Sequence, residues 1–206
     1  MSDTIYCYPD SNTLINKLNI TNAETLKHAE IEHTSNRLFE LQNNSMKGNF
    51  DFKHLCKIHH HIFQDLYEWA GKPRTVNIGK GNLFCLVQNI DYYANSIFER
   101  YYKDCMAAGN DKDKFIQVFA DHYADMNALH PFREGNGRSQ REFARQLCLK
   151  CGYAFDLTKT KHEDMLSASI LSFDKGDNSG LENIFKNTVI PIKNYVDLQN
   201  RLNLHS

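Results

Sequence analysis

The scarcity of turn-forming residues constrains the fold of this chain more than any other feature of its sequence. Of its 206 residues, only 10 are Gly and 4 are Pro. A β-sandwich or β-barrel needs turn residues about every ten positions, and this chain cannot supply them, so we predict an all-α fold. Half of the glycines fall in two short windows, which are where we look for function: Gly71, Gly79 and Gly81 in one, Gly135 and Gly137 in the other.

Charge and composition exclude several classes of partner. The formal net charge of −1 gives no general attraction to nucleic acid or to anionic membranes. No apolar run reaches the roughly 18 residues of a membrane span, and residues 1–4 lack the features of a signal peptide. The six cysteines are scattered, which is typical of a reduced protein. We therefore expect a cytoplasmic protein with no membrane and no direct nucleic-acid partner.

Helical spacing dominates the chain and no linker divides it, so we expect a single domain over residues 1–206. Residues 1–20 are an irregular N-terminal arm. Thr21 and Glu24 have the spacing of a capping box, which predicts a helix start near residue 22. Asp51 is a residue type that favours the N-cap position and predicts a second helix start. The predicted helices lie at about 22–43, 52–69, 89–108, 112–129 and 138–151, with two or three shorter helices within 160–202.

One stretch, residues 74–87, has the spacing of strands. Polar and apolar residues alternate from Thr75 to Ile78, a Gly-rich turn follows at 79–82, and apolar residues resume from Leu83 to Val87. This pattern predicts a small β-hairpin. Two strands alone are only marginally stable, so we expect the hairpin to lean on the helices.

A second stretch, residues 130–141, gathers chemistry-bearing side chains between two predicted helices, with the sequence HPFREGNGRSQR. Its G-N-G segment allows positive φ and close backbone approach. Successive N–H groups there, at the start of a helix, predict a phosphate-binding nest. Arg138 and Arg141 lie one turn apart at the same helix start, where cations are unfavourable unless an anion such as a polyphosphate lies nearby.

The same segment carries candidates for a base and a metal ligand. Glu134 is a hard carboxylate that suits Mg²⁺ bridging phosphate oxygens. His130 ends the preceding helix and can take a proton from a hydroxyl nucleophile near neutral pH, while Phe132 is expected to turn inward and anchor the loop. Each feature alone has an ordinary explanation as a turn, a cap or a solvated face, but their conjunction within one short segment favours a functional site.

Residues 130–141 resemble the Fic motif, H-x-F-x-[D/E]-G-N-G-R-x-x-R, at every fixed position. Residues 6–20 are similar to the entry arm of bacterial Fic proteins of the cell filamentation type. Residues 59–82 are similar to their second helix and target-positioning flap, and the whole similarity covers roughly 5–190. The resemblance implies a Fic-type helical bundle with one small β-hairpin flap.

The resemblance also implies an activity, the transfer of AMP from ATP to a Tyr, Thr or Ser hydroxyl of a target protein, with release of pyrophosphate. His130 would be the general base and Glu134 the Mg²⁺ ligand. The phosphate-binding residues would be Gly135, Asn136, Gly137, Arg138 and Arg141. The flap would dock the target by strand addition, through Ile78, Gly79, Lys80, Gly81, Asn82, Leu83, Phe84 and Cys85. Two alternatives stay open: transfer of another nucleotide or a phosphoryl group, and a non-catalytic module that binds nucleotide or antitoxin.

Many Fic proteins are restrained by an inhibitory helix with the pattern [S/T]-x-x-x-E-[G/N], whose Glu pairs with the second motif arginine. This chain has no match. The nearest segment is 179–183, in which Glu182 comes one residue too early. We therefore expect the chain to be the toxin partner of a small antitoxin that supplies the helix in trans.

Other candidate sites carry less weight. Consecutive helical residues point about 100° apart, so His59, His60 and His61, with His54, are a poor metal site. His122 lies on an apolar face and is interpreted as a core histidine. Cys148 and Cys151 have redox or zinc spacing but lie within one helix and are interpreted as structural.

Overall fold

The computed structural model describes residues 5–158 and 160–194, apart from the side chain of Lys80. Residues 1–4 of the predicted N-terminal arm and residues 195–202 of the predicted C-terminal helices lie outside the described residues. The chain is predominantly helical, which confirms the predicted fold class. No helix in the described ranges is long and apolar enough to cross a membrane.

The secondary structure follows the sequence in a simple order. The helices are α1 (Ala23–Asn43), α2 (Phe52–Phe63), α3 (Ile90–Ala108), α4 (Lys112–Leu129), α5 (Asn136–Lys150), α6 (His162–Lys175) and α7 (Ser179–Thr188). The strands are β1 (Gly79–Lys80), β2 (Asn82–Leu83), β3 (Tyr153–Phe155) and β4 (Val189–Pro191). A 3₁₀ turn at Val87–Asn89 leads into α3.

Helix α4 lies at the centre of the bundle, in contact with α3, α5, α6 and α7, while α5 also packs on α2 and α1 packs on α2. The apolar residues of α4 explain this central position. Phe115, Phe119, Tyr123 and Met126 recur at helical spacing and are all buried. The ring centroid of Phe119 lies 4.9 Å from the ring centroid of Phe185 in α7. The segment that follows α4 is therefore held on a tightly packed base.

The ends of the first two helices differ from the sequence prediction. The N-cap of α1 is Asn22, whose side chain accepts the Thr25 N–H, and not Thr21. Asp51 caps α2 as predicted, but α2 ends at Phe63 and not near residue 69. Lys17 of the N-terminal arm explains the early end, because its backbone N–H binds the Leu66 carbonyl and its ammonium binds the Gln64 carbonyl. Those carbonyls are thus satisfied without another helical turn.

The predicted hairpin is present but shorter than expected, and a second pair of strands was missed. In the hairpin, Gly79 pairs with Leu83 across a turn at Gly81, whose φ is +82°. Residues 75–78 form no strand, because the Val76 carbonyl is bound by the Arg74 side chain. The missed pair joins β3 to β4, with Ala154 opposite Ile190. Its strands are far apart in sequence, so no turn signal marks them.

Candidate active site

A cavity of about 820 Å³ opens between the end of α4, the start of α5, the flap and α6. Gly79 of the first glycine window and Gly135 and Gly137 of the second all line it. The structure therefore brings the two windows together. The wall formed by α6 was not predicted, and it consists of His162, Met165, Leu166 and Ser169.

His130 lies at the cavity in an unusual backbone conformation. It is the C-cap of α4 and adopts a left-handed φ of +43°, with its N–H bound to the Met126 carbonyl. Its Nδ1 lies 3.2 Å from the Asn127 carbonyl. A carbonyl only accepts, so Nδ1 carries the proton and Nε2 is the ring nitrogen that can accept one.

The turn after His130 is braced from within by Asn136. This buried amide accepts the Phe132 N–H at 2.9 Å and donates to the Phe132 carbonyl at 2.7 Å. Phe132 is fully buried. The Asn136 side chain thus holds the loop, so any contact of Asn136 with phosphate is left to its backbone N–H.

The G-N-G segment is the beginning of α5, two residues earlier than predicted, and not a loop before it. Gly135 is the N-cap with a φ of +80°, and a Cβ there would lie 2.1 Å from Cζ of Phe63. Of the two motif glycines, only Gly135 adopts a positive φ. Asn136 and Gly137 are the first helical residues and line the cavity. Their N–H groups have no acceptor within the helix, which makes this end a ready anion site.

The two motif arginines have different surroundings. Arg141 lines the cavity and, within the described part of the chain, is in no ion pair or hydrogen bond with another side chain. Arg138 does not line the cavity. It donates to Glu30 and Thr34 of α1 and lies over the Phe63 ring. Arg141 therefore lies at the cavity, whereas Arg138 is held by a carboxylate on α1. That both arginines bind phosphate stays a prediction.

Glu134 lies at the mouth of the cavity and is partly exposed. One carboxylate oxygen, Oε1, accepts the Gly135 N–H at 2.8 Å and lies 3.5 Å from Nη2 of Arg138. The side chain is therefore oriented by its neighbours.

Two residues that sequence reasoning did not place in the site support this geometry. His59 accepts the Gly71 N–H at Nδ1 and binds the Glu134 carbonyl at 2.9 Å through Nε2. It stacks on the Phe132 ring at 3.8 Å, and burial lowers its pKa to about 3. Arg74 is buried and binds the His130 carbonyl. A lone Arg before a predicted strand gives no sequence signal for such a role.

The predicted flap residues divide between the cavity and the solvent. Ile78, Gly79 and Phe84 line the cavity, whereas Gly81, Asn82 and Leu83 are exposed at the tip. Cys85 is partly buried and its backbone N–H binds the Ala128 carbonyl of α4. Asn82 donates to Asp174 of α6 at 2.8 Å, so the flap bridges α4 and α6.

The other sequence candidates have ordinary partners. His60 binds the Ala70 carbonyl and His61 lies 3.0 Å from Glu40. His122 binds Asp104 of α3 at 2.9 Å and stacks on Tyr101. Burial raises the pKa of the thiols of Cys148 and Cys151, which are both unpaired. These groups are parts of the packed bundle.

Comparison with known proteins identifies the class. The Fic/DOC family model matches residues 49–148. A Sinorhizobium fredii protein named probable protein adenylyltransferase y4lH is 38% identical over 169 residues, covering 81% of this chain and 86% of the relative. The chain belongs to the Fic family, as its sequence predicts.

A second relative and a solved structure agree with this assignment. The protein adenylyltransferase VbhT of Bartonella schoenbuchensis is 39% identical over 173 residues, or 84% of this chain, which spans only 36% of VbhT. The crystal structure of an N-terminal Fic domain from Bartonella quintana with bound ADP superposes with a TM-score of 0.86. It is 26% identical, covering 93% of this chain and 97% of that one. These relatives support the expected enzyme class, a nucleotidyltransferase.

Proposed function

We propose that this chain is a protein adenylyltransferase that transfers AMP from ATP to a hydroxyl side chain of a target protein. The observation that carries the proposal is the cavity, which gathers His130, the N-terminus of α5 and Arg141 beside an exposed hairpin. A base, an anion site and a docking edge are the three requirements of this reaction. The names of the relatives and the ADP bound to a similar structure support the same activity.

The residues divide the chemistry between them. Nε2 of His130 takes the proton of the target hydroxyl, whose oxygen attacks the α-phosphorus of ATP. A new O–P bond forms, the bond between the α-phosphorus and its bridging oxygen breaks, and pyrophosphate leaves. The first N–H groups of α5 and the Arg141 guanidinium bind the phosphate charge. Catalysis is then mainly positioning and charge stabilisation.

Glu134 fits the role of Mg²⁺ ligand. Mg²⁺ is commonly held by one or two carboxylates together with substrate phosphates and water, and this carboxylate is partly exposed beside the phosphate-binding end of α5. The Gly135 N–H fixes one of its oxygens. When bound, the ion would neutralise charge on the phosphates.

The target docks on the flap, residues 78–85, by adding a strand along its exposed backbone. Such docking uses backbone hydrogen bonds and therefore accepts varied sequences. The exposed tip at 81–83 leaves this backbone accessible.

A small protein inhibitor restrains the enzyme in trans by presenting a carboxylate to Arg141. Two observations support this: Arg141 lines the cavity without a carboxylate partner in the described part of the chain, and Glu182 of α7 is in no ion pair there. The enzyme acts in the cytoplasm, which suits its six unpaired cysteines.

The activity is tested with ATP labelled on the α- or the γ-phosphate and incubated with the chain, Mg²⁺ and a bacterial lysate. AMP transfer moves only the α label to protein, and mass spectrometry then reports the modified residue. Label from the γ position would indicate phosphoryl transfer, and nucleotide binding without either transfer would indicate a non-catalytic module. His130→Ala should abolish transfer, while His28→Ala, at an exposed histidine of α1, serves as the matched control.

The inhibitor model has its own test. If the isolated chain is inert and Glu182→Ala releases its activity, restraint is internal and the trans model is wrong. Activity of the isolated wild-type chain, unchanged by Glu182→Ala, supports a separate inhibitor.

A further inference from the structure

Phe84 of the flap lies flat against the imidazole of His130. The two ring centroids are 3.8 Å apart and the planes differ by only 10°. Phe84 also contacts Phe173 of α6, with the two ring centroids 5.1 Å apart. The residue is thus held between α6 and the histidine, whereas Leu83 next to it points into solvent.

Hydrogen bonds hold both the backbone of His130 and one nitrogen of its ring. Its N–H binds Met126, its carbonyl accepts from Nε of Arg74 at 2.9 Å, and its Nδ1 donates to Asn127. These contacts hold the backbone and one edge of the ring. The Nδ1 bond and the face of Phe84 together limit the broad rotation of a histidine about its last torsion.

Arg74 connects the same histidine to Val76, just before the flap, and to Cys85 at the end of the flap. Its guanidinium also donates to the carbonyls of Val76, at 2.8 Å, and of Cys85. None of these partners is a carboxylate, and burial lowers the pKa of this guanidinium. A buried cation that binds three carbonyls is costly unless all three bonds are made, so Arg74 ties the segments before and after the hairpin strands to the backbone of His130.

We propose that Phe84 is a positioning residue that sets the plane of the His130 imidazole, and that Arg74 couples this plane to the flap. The hairpin on which the target docks thereby also orients the base. This inference rests on the proposed role of His130 as base. It gives Phe84 a different task from the docking role that the sequence suggests.

The stack is tested first by NMR of the full chain, without ATP or target. In the wild type, the ring current of Phe84 shifts the Cε1 proton of His130 upfield, and the signal is assigned by its loss in His130→Gln. Phe84→Leu should move the signal downfield, whereas Phe84→Tyr should retain the shift. Phe39→Leu, at an exposed phenylalanine of α1, is the matched control and should change nothing. Circular dichroism checks that each variant is folded.

The second arm measures transfer of the α label to lysate protein at increasing ATP concentrations. A misoriented base slows the chemical step, so Phe84→Leu should lower the maximal rate about 10- to 100-fold and leave the KM for ATP within about twofold. Phe84→Tyr should restore most of the rate. The lysate protein that takes up the label is then purified in its unmodified form and serves as the varied substrate.

Two results would overturn the proposal. One is an unchanged His130 signal in folded Phe84→Leu. The other is a raised KM for the unmodified target protein with an unchanged maximal rate, which would make Phe84 a docking residue. If the wild type transfers no label, the proposed function fails, and the NMR arm still decides whether Phe84 stacks on the His130 ring.

Discussion

The catalytic loop and the flap face each other across one cavity but are held in different ways. The loop is fixed from inside by buried polar side chains, since Asn136 binds both backbone groups of Phe132 and His59 binds the Glu134 carbonyl. The flap tip rests on two-residue strands and is exposed. The phosphate-binding groups and the proposed catalytic base must be held in fixed positions. Docking by strand addition needs only an accessible backbone. The two regions should therefore respond very differently to substitution.

The largest difference is expected between two glycines with the same backbone conformation. Gly135 and Gly81 have φ values of +80° and +82°. Alanine costs about 1–2 kcal/mol for that conformation alone, but at Gly135 its Cβ would also collide with the Phe63 ring, which adds about 1–3 kcal/mol. We expect Gly135→Ala to lower the free energy of unfolding by about 2–5 kcal/mol and to abolish AMP transfer.

Gly81→Ala is the matched control, because a Cβ at that position would meet no atom within 4 Å. Urea unfolding of both variants gives the comparison. Equal losses of stability at the two sites would mean that the loop is no more tightly packed than the flap.

The next effect concerns Arg74, where the two regions meet. Arg74→Lys keeps the charge but cannot reach the carbonyls of His130, Val76 and Cys85 together. Because each buried carbonyl left without a partner costs about 1–3 kcal/mol, we expect a loss of about 2–4 kcal/mol. Arg37→Lys at the partly exposed pair with Asp65 should cost only about 0.2–1 kcal/mol. Thermal unfolding of Arg74→Lys and Arg37→Lys measures the difference. Similar losses of stability would show that the three carbonyl bonds of Arg74 do not hold the loop and the flap together.

Sequence reasoning succeeded where the information is local. Helical spacing and the Asp51 cap are read from neighbouring residues, and the motif at 130–141 is contiguous. It failed where distant residues decide the outcome. Lys17 binds two carbonyls that follow the end of α2, and Arg74 binds the Val76 carbonyl in the segment predicted as a strand. These are single side chains that satisfy backbone or charged groups elsewhere in the fold, and no periodicity marks them.

Lowering the pH should decrease the free energy of unfolding, because His59 is buried in its neutral form beside the catalytic loop. The pKa of this buried imidazole is about 3 in the folded chain and about 6.5 when unfolded, so between these values the unfolded state binds the extra proton. Stability is therefore complete above about pH 6.5 and falls as the pH decreases, by up to about 1.4 kcal/mol per pH unit. His54, whose pKa burial also lowers, adds a slope of the same sign.

The contribution of His59 is isolated by urea unfolding of the wild type and His59→Gln between about pH 7 and 4.5. The difference in unfolding free energy between the two should shrink as the pH falls, because only the wild type loses this contribution. A difference that is constant with pH would contradict the assignment of His59 as a buried neutral brace.

The smallest effect on stability is expected at Leu83, at the exposed tip of the flap. Leu83→Ala removes no buried contact, so the free energy of unfolding should stay within about 0.5 kcal/mol of the wild type. If the docked target covers this side chain, the variant loses about 1 kcal/mol or more of apolar burial, and the KM for the unmodified target protein should rise about 5-fold or more. The maximal rate should not change, because the plane of His130 is set by Phe84 and not by Leu83. Ile31→Ala, at an exposed residue of α1, controls for the loss of surface apolar area. A fall in the maximal rate of Leu83→Ala would mean that docking and base orientation cannot be separated within the flap.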